Sequence, residues 1–341
     1  MANLLEDKVA IITGSGRGIG RGVAKLMASQ GAKVVVVDPG VNVDGTGADS
    51  SFAQQVVDEI KADGGEGVAC LESVATMAGG DKIIQTALDN YGKLDIVVTV
   101  AGILRDRMIF NMSEQEWDDV IAVHLKGTFS IVKNASVIFR QQRSGRIITF
   151  SSTTGLYGNS GQANYGAAKD GIAGFTRVVA RDLGRYGVTA NAISPSAATR
   201  MIGSIPDDAR ELRAARGIST GAALTLRGQA DDIAPMVTWL ASDEAAHVNG
   251  HVFHVTEGLV TLLNEPEPVR TIQKDGKWTV EELVRVFPVT IGIELVNPAP
   301  SQVPKECGSP RFVRTSRLAI DKKEAPPRRH QSIDNQIVNR C

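Results

Sequence analysis

The sequence predicts an α/β fold, a Rossmann-like doubly wound parallel sheet in a single domain with a C-terminal extension. Short β-branched runs alternate with longer helical patterns up to about residue 255. The runs are continuously apolar, which indicates strands buried on both faces of a sheet. The repeated β-α-β order makes the strands parallel. A glycine-rich turn between the first strand and the first helix is typical of the same architecture.

Each element follows from these patterns in turn. We predict strands at 9–12, 33–37, 67–71, 94–100, 146–150, 188–193 and 251–255. We predict helices at 19–29, 52–62, 80–91, 113–142, 165–186 and 231–241. The longest of them begins with Ser113 and Glu116 spaced as a capping box. Because parallel sheets bind ligands at the carboxyl ends of their strands, we expect the functional residues there.

Composition excludes several classes of protein. The 341 residues are 43% hydrophobic and carry a net charge of -1, so neither a nucleic-acid nor a membrane partner is expected. Cys70, Cys307 and Cys341 have no metal-binding or disulfide spacing. We therefore expect no metal and a reducing compartment. The first seven residues lack the basic and apolar regions of a signal peptide. No apolar run reaches the roughly 18 residues that would indicate a membrane span. These features favour a cytoplasmic protein with a small-molecule substrate.

Two segments depart from the regular plan. Residues 39–51 form a Gly- and Asp-rich connection that is longer than usual between a strand and its helix. Beyond about residue 266 the chain loses periodicity, and from 305 onward it is rich in Lys, Arg and Pro. We predict a domain at 1–262 and a partly disordered extension at 263–341, with a short helix at 279–287. Residues 206–227 are expected to form a mobile lid over the substrate.

The glycine-rich turn has the features of a dinucleotide site. Glycines allow a tight turn and a close approach to a pyrophosphate, and the helix that follows offers free N–H groups. The predicted contacts are Gly14, Ser15, Arg17, Gly18, Ile19 and Gly20. Asp38 ends the second strand, where a carboxylate binds the ribose hydroxyls and repels a 2′-phosphate. Asp38 favours NAD over NADP, although Arg17 could meet a 2′-phosphate or could simply be solvated.

Three polar residues predict proton-transfer chemistry. Tyr165 and Lys169 are four positions apart and share one face of a helix. A lysine close to a phenol stabilises the phenolate, so we expect the pKa of Tyr165 to fall below its usual value of about 10. Tyr165 could then exchange a proton with an alcohol as a general acid or base. Ser152 follows the strand at 146–150 and could hold the substrate oxygen.

On these motifs the chain resembles the short-chain dehydrogenase/reductase family over about residues 5–258. The resemblance implies that Ser152, Tyr165 and Lys169 are the catalytic residues and that the glycine turn binds the cofactor. It also implies cofactor contacts after the third, fourth and sixth strands, at Ser73, Val74, Ala101, Gly102, Pro195, Ala198 and Thr199. Tyr165 and Lys169 are implied to contact the cofactor as well. The corresponding helices of the family pair between subunits, which implies a homodimer or homotetramer.

Four motifs narrow the resemblance to the dehydrogenase domain of peroxisomal multifunctional enzyme type two and its bacterial relatives. The motifs are residues 101–107, 123–127, 158–165 and 199–201. That branch implies oxidation of (3R)-hydroxyacyl-CoA thioesters with NAD. Compared with most of the family, Thr99-Val100 replaces Asn-Asn, Ser196 replaces Gly, and His124 replaces Asn. His124 could relay protons from Lys169 to solvent, or it could be a structural histidine.

Three functions remain open from the sequence. The first is NAD-dependent oxidation of a 3-hydroxyacyl-CoA to a 3-oxoacyl-CoA, or the reverse. In that case Arg105, Asp106 and Arg107 could face CoA phosphates, although such a cluster is often a solvated rim. The second is dehydrogenation of a free cyclic or steroid alcohol. The third is a non-catalytic cofactor-binding subunit of a hetero-oligomer, against which the intact Ser152, Tyr165 and Lys169 argue.

Overall fold

The computed structural model describes residues 3–197 and 228–298. Two predicted cofactor contacts, Ala198 and Thr199, lie outside the described residues. So do the predicted lid at 206–227 and the extension from residue 299 onward.

The described strands form one sheet of eight in the order β3-β2-β1-β4-β5-β6-β7-β8. In chain order, β1 to β8 are Val9–Thr13, Lys33–Val37, Glu66–Cys70, Ile96–Thr99, Gly145–Phe150, Val188–Pro195, Val252–Thr256 and Leu259–Leu262. Strands β1 to β7 are parallel. The chain order reverses between β1 and β4, so the carboxyl ends of these two strands mark the crevice where such sheets bind ligands.

Helices cover both faces of the sheet. In chain order, α1 to α9 are Gly18–Ser29, Ser51–Ala62, Met77–Tyr91, Glu114–Ile121, Gly127–Gln142, Thr153–Tyr157, Ala163–Leu183, Ala234–Leu240 and Val280–Val286. Short 3-10 turns lie at Ile109–Asn111, Gly184–Tyr186, Ala230–Ile233, Asp243–Ala245 and Phe287–Val289. Within residues 3–197 and 228–298, we find no helix that combines the length and the hydrophobicity of a transmembrane segment.

The strand side chains alternate between two cores. Ile12 and Val36 belong to the core on one face of the sheet. Their neighbours Ile11 and Val35 belong to the core on the other face. Burial on both sides explains why these strands are continuously apolar in the sequence. The predicted doubly wound parallel sheet is therefore confirmed.

Three local features differ from the predicted elements. β8 is a further strand that pairs antiparallel with β7 at the sheet edge, with Val255 opposite Val260. The predicted helix at 113–142 contains a π-helical turn at Ala122–Lys126, where α4 passes into α5. α6 was not predicted. The short helix predicted at 279–287 is present as α9, with Thr279 and Glu282 forming a capping box.

Candidate active site

A cavity of about 900 Å³ lies at the carboxyl ends of the central strands. The turn after β1 lines one part of it, and the beginning of α7 lines another. Predicted site residues on its wall are Gly14, Arg17, Gly18, Ile19, Gly20, Asp38, Ser73, Val74, Ala101, Gly102, His124, Ser152, Tyr165, Lys169 and Pro195. The fold thus brings together residues from most of the parallel strands, as expected for a switch-point site.

Glycine is required in the turn between β1 and α1 by its close contacts. Gly14 has a φ of +67°, and a Cβ there would lie 2.7 Å from the Cα of Ala101 in the connection after β4. A Cβ on Gly20 would lie 2.3 Å from the carbonyl oxygen of Gly14. The turn is therefore packed backbone against backbone, and the N-terminus of α1 opens directly into the cavity. This glycine cradle fits the pyrophosphate of a dinucleotide.

Ser15 has a different position from the other predicted turn residues. Its side chain is fully buried. The hydroxyl donates to the carbonyl oxygen of Ile12 at 2.6 Å and accepts from the N–H of Val37 at 3.0 Å. Ser15 therefore ties β1 to β2 beneath the turn, and its side chain supports the cradle from below.

Asp38 follows β2 and is held by backbone donors. Its Oδ2 accepts from the N–H of Gly16 at 2.9 Å, and its Oδ1 accepts from the N–H of Gly40 at 2.7 Å. The carboxylate is buried and lines the cavity. Its position beside the glycine turn fits the ribose of a dinucleotide and adds negative charge where a 2′-phosphate would lie.

Arg17 is packed rather than freely solvated. Its guanidinium lies 3.8 Å from the centre of the Phe52 ring. Its Nη2 donates to the carbonyl oxygen of Val41 at 2.6 Å. These contacts hold the arginine against the segment that follows Asp38.

The connection after β4 is supported by hydroxyl groups where most of the family has asparagines. The N–H of Ala101 donates to Thr13 Oγ1 at 3.2 Å, and Thr128 Oγ1 donates to Thr99 Oγ1 at 3.4 Å. Gly102 has no room for a side chain, because a Cβ would lie 2.3 Å from Cε1 of His124. Threonine hydroxyls therefore support this part of the sheet where the family has asparagine amides.

Tyr165, Lys169 and Ser152 meet at one end of the cavity. Tyr165 and Lys169 lie one helical turn apart on α7, and the Lys169 Nζ is 5.6 Å from the centre of the phenol ring. The same Nζ donates to the carbonyl oxygen of Phe150 at 2.7 Å. Ser152 is the N-cap of α6, where its Oγ accepts from the N–H of Thr154 at 3.1 Å. Strand β5 and helix α7 therefore fix all three groups.

Burial is the largest influence on the pKa values of Tyr165 and Lys169. Burial raises the pKa of Tyr165 to about 12, the hydroxyl of Ser152 acts in the opposite direction, and the carboxylate of Asp106 raises it further. Burial also lowers the pKa of Lys169 to about 7. The expected fall in the pKa of Tyr165 below 10 is therefore wrong for this structure. Desolvation penalises the phenolate and the ammonium alike, so each charged form is favoured only beside an opposite charge.

His124 lies in the π-helical turn and is fully enclosed. Its Nε2 is 2.8 Å from the carbonyl oxygen of Ile103 and 3.1 Å from the Ile103 nitrogen. Its Nδ1 is buried and has no hydrogen-bond partner among the residues at 3–197 and 228–298. Burial, with a contribution from the charge of Lys169, lowers the pKa of His124 to about 3. A neutral imidazole bonded to the backbone fits a structural role, and a relay role stays a prediction.

A hydrogen-bonded group that the sequence did not reveal lies beside Tyr165. Gln162 Nε2 donates to both carboxylate oxygens of Asp106, at 3.1 and 3.0 Å. Its Oε1 accepts from Thr154 Oγ1 at 3.1 Å and from Asn159 Nδ2 at 2.8 Å. Gln162 thus joins three walls of the cavity. The position of Gln162, three residues before Tyr165, indicates that it lies near the site. Its partner Asp106 could not be identified in this way, because it is 56 residues away in the chain.

The basic residues on the rim are engaged in ion pairs. Arg105 Nη2 lies 3.2 Å from Asp119 Oδ2, and Arg107 Nε lies 3.0 Å from Glu116 Oε1. Arg105 lines the cavity as well. These pairs match the interpretation of a polar rim, and the carboxylate of Asp106 accepts from Gln162 Nε2. Contact of this segment with CoA phosphates stays a prediction.

Comparison with known proteins identifies relatives of this chain. A family model described as enoyl-(acyl carrier protein) reductase matches residues 14–260. The hydroxyacyl-CoA dehydrogenase ChsB1 of Mycobacterium tuberculosis is 41% identical over 297 residues, which cover 82% of this chain and 87% of the relative. The peroxisomal multifunctional enzyme type 2 of Mus musculus is 39% identical over 259 residues, which cover 76% of this chain and 33% of that enzyme.

A solved structure agrees with these relatives. The crystal structure of a short chain dehydrogenase from Mycobacterium avium has a TM-score of 0.71 and 41% sequence identity, covering 88% of this chain and 98% of the other. Both the fold and the resemblance read from the motifs are confirmed. The chain therefore belongs to the short-chain dehydrogenase/reductase family, whose members are oxidoreductases that bind a nicotinamide cofactor.

Proposed function

We propose that this protein catalyses NAD-dependent oxidation of a 3-hydroxyacyl-CoA to the 3-oxoacyl-CoA, or the reverse reduction. The observation that carries the proposal is the placement of Ser152, Tyr165 and Lys169 on one cavity that also holds the glycine turn. The same arrangement argues against a purely cofactor-binding subunit, because such a subunit has no chemical need for a half-buried Tyr165 beside a buried Lys169.

Tyr165 is the proposed general acid/base. During oxidation its Oη takes the proton of the substrate hydroxyl, and during reduction it returns a proton to the carbonyl oxygen. The nicotinamide, when bound, supplies the acceptor or donor of hydride. Ser152 holds the substrate oxygen beside Oη. Lys169, fixed by the carbonyl of Phe150, stabilises the phenolate once its Nζ is protonated.

The proposed cofactor preference rests on Asp38. Its buried carboxylate is fixed by the N–H groups of Gly16 and Gly40, so it cannot swing away from a ribose. Arg17 is committed to Phe52 and Val41, which reduces its value as a partner for a 2′-phosphate. Both placements favour NAD over NADP.

The proposed substrate class rests on the relatives. The Mycobacterium tuberculosis relative is named a hydroxyacyl-CoA dehydrogenase, and most of its length matches this chain. A cavity of about 900 Å³ is too small to enclose both a dinucleotide and a whole CoA thioester. The CoA end of the substrate would therefore lie outside the cavity, past the rim of Arg105 and Arg107.

A matrix of cofactors and substrates tests the function. Formation of reduced cofactor is followed at pH 7 and at pH 9 with NAD or NADP. Each is combined with (3R)- and (3S)-hydroxyacyl-CoA of short and long chains, with the matching acyl-carrier-protein thioesters, and with free cyclic and steroid alcohols. We expect turnover with NAD and the (3R)-CoA esters. Turnover with free alcohols and none with any thioester would overturn the substrate class, and a preference for NADP would overturn the cofactor.

We further propose a homo-oligomer. Three large apolar side chains on α5 and α7 are exposed in the single chain, namely Phe129 (43%), Val137 (46%) and Val178 (56%). Burying such side chains between two copies removes apolar surface from water. Light scattering after gel filtration should give a mass of two or four chains, and a monomer at micromolar concentration would refute this.

A further inference from the structure

The long connection after Asp38 forms a closed loop at the edge of the cavity. Its ends meet where the N–H of Asp49 donates to the carbonyl oxygen of Gly40 at 3.1 Å. Nearer the tip, the N–H of Asn42 donates to the carbonyl oxygen of Thr46 at 2.7 Å. A compact loop with joined ends is an Ω-loop, a type that is frequently functional. We call residues 40–49 the strap.

The tip of the strap is bound to the far side of the cofactor groove. The N–H of Leu104, in the connection after β4, donates to the carbonyl oxygen of Val43 at 2.8 Å. A Cβ on Gly45 would lie 3.2 Å from the Cδ1 of Ile103, so the strap backbone is in close contact there. Val41 packs against the small apolar cluster that contains Ile103.

Charge adds to this attachment. Thr46 lowers the pKa of Asp44 through its hydroxyl and backbone N–H, and the positive charge of Arg105 lowers it further. On the near side, Arg17 holds the root of the strap through the carbonyl oxygen of Val41. The strap is therefore attached on both sides of the groove, to Arg17 on one side and to Leu104 on the other.

Sheet topology places the glycine turn beneath the strap. β1 lies between β2 and β4 in the sheet, so any link between the connections after β2 and β4 passes over the turn that follows β1. Adjacent strands are about 4.8 Å apart, so this link crosses roughly 10 Å. Val43, Leu104 and the glycines of the turn line the same cavity.

We propose that the strap completes the dinucleotide site from the outside and retains the cofactor across the glycine turn. This inference rests on the proposed function, because it assumes that the groove holds a dinucleotide. With the Val43–Leu104 bond closed, the strap bridges the groove at this point. A dinucleotide therefore enters or leaves when this bond and the contact of Val41 and Gly45 with Ile103 open.

A reversible cross-link tests the inference. In the double variant V43C/L104C, a disulfide formed by oxidation would keep the strap closed, and reduction would release it. NADH binding and release are followed by stopped-flow fluorescence in the same preparation before and after reduction, with the single variant V43C as control. We expect the oxidised protein to take up and release NADH at least tenfold more slowly than the reduced protein. Equal rates in the two states would overturn the proposal.

A shortened strap provides a second test that needs no cross-link. Gly40 and Asp49 are already joined, so residues 41–48 can be replaced by an Asn-Gly hairpin turn. We expect the NADH dissociation rate to rise about tenfold or more, in a variant that still unfolds in one cooperative transition. An unchanged dissociation rate would contradict the proposal. Failure of the wild-type protein to bind NADH at all would instead defeat the proposed function.

Discussion

The imidazole of His124 stands edge-on to the phenol of Tyr165, with ring centroids 5.1 Å apart and planes at 87°. This contact forms one side of the space around the proposed general acid/base. Because the pKa of His124 is lowered to about 3, the ring is neutral at physiological pH and adds no charge that would alter the phenol. Histidine at position 124 is therefore uncharged beside Tyr165, as the asparagine found in most of the family would be.

The buried neutral His124 predicts a pH-dependent stability. Its pKa is about 3 when folded and about 6.5 when unfolded, so between these values the unfolded chain binds more protons. The free energy of unfolding should therefore fall as pH drops from 6.5 toward 3, by up to about 1.4 kcal/mol per pH unit from this residue.

The variant His124→Asn should flatten that slope, and urea unfolding from pH 4.5 to 7 measures it. Burial also lowers the pKa of His254, so part of the slope should remain in the variant. An identical slope in wild type and variant would show that His124 does not titrate as its burial requires.

The carboxylate of Asp106 predicts a shift in the pH profile. Its negative charge raises the pKa of Tyr165, so Asp106→Asn should lower that pKa. Oxidation needs the phenolate, so the rise of its rate with pH should occur at a lower pH in the variant than in wild type. Reduction needs the phenol, so the fall of its rate with pH should also occur at a lower pH in the variant.

The measurement is kcat against pH in both directions, with Asp118→Asn as a control because Asp118 is an exposed acid on α4. A profile that shifts equally in the two variants, or shifts toward higher pH in Asp106→Asn, would contradict the assignment.

The glycine cradle predicts opposite effects for the same substitution at two positions. In Gly20→Ala the new Cβ would overlap the Gly14 carbonyl, so we expect a loss of about 1–3 kcal/mol in stability and much weaker NADH binding. In Gly166→Ala the nearest atom is 3.5 Å away, within a helix. There we expect a gain of roughly 0.5–1 kcal/mol and unchanged NADH binding. Chemical unfolding and fluorescence titration check both, and equal effects would refute the packing argument.

The regular part of the fold was predictable because burial leaves a clear pattern. β2 agrees with its predicted bounds, since every residue of a two-sided buried strand is apolar or nearly so. β8 was missed because its four residues are exposed. The Glu257-Gly258 pair before it, with Gly258 at a φ of +64°, was an available hairpin signal. The π-helical turn adds one residue to a helical turn, which helical periodicity over a long segment does not resolve.

The site was predictable in its motifs and less so in its contacts. The glycine turn, Ser152, Tyr165 and Lys169 could be assigned because each chemical task needs those residue types at fixed spacing. The pKa of Tyr165 could not, because it depends on burial that only the packed fold shows. The Asp106–Gln162 contact and the Val43–Leu104 bond join residues far apart in the chain, and local patterns carry no signal for them.

The role of Tyr165 is tested by comparing wild-type protein with Tyr165→Phe under the same conditions, using NAD, a (3R)-hydroxyacyl-CoA ester and stopped-flow detection of NADH. We expect the variant to bind NADH as tightly as wild type and to lose at least about 100-fold in the rate of NADH formation, because a positioned general acid/base contributes about 10²–10⁴-fold. A variant that forms NADH at the wild-type rate would contradict the assignment of Tyr165 as the proton-transfer group.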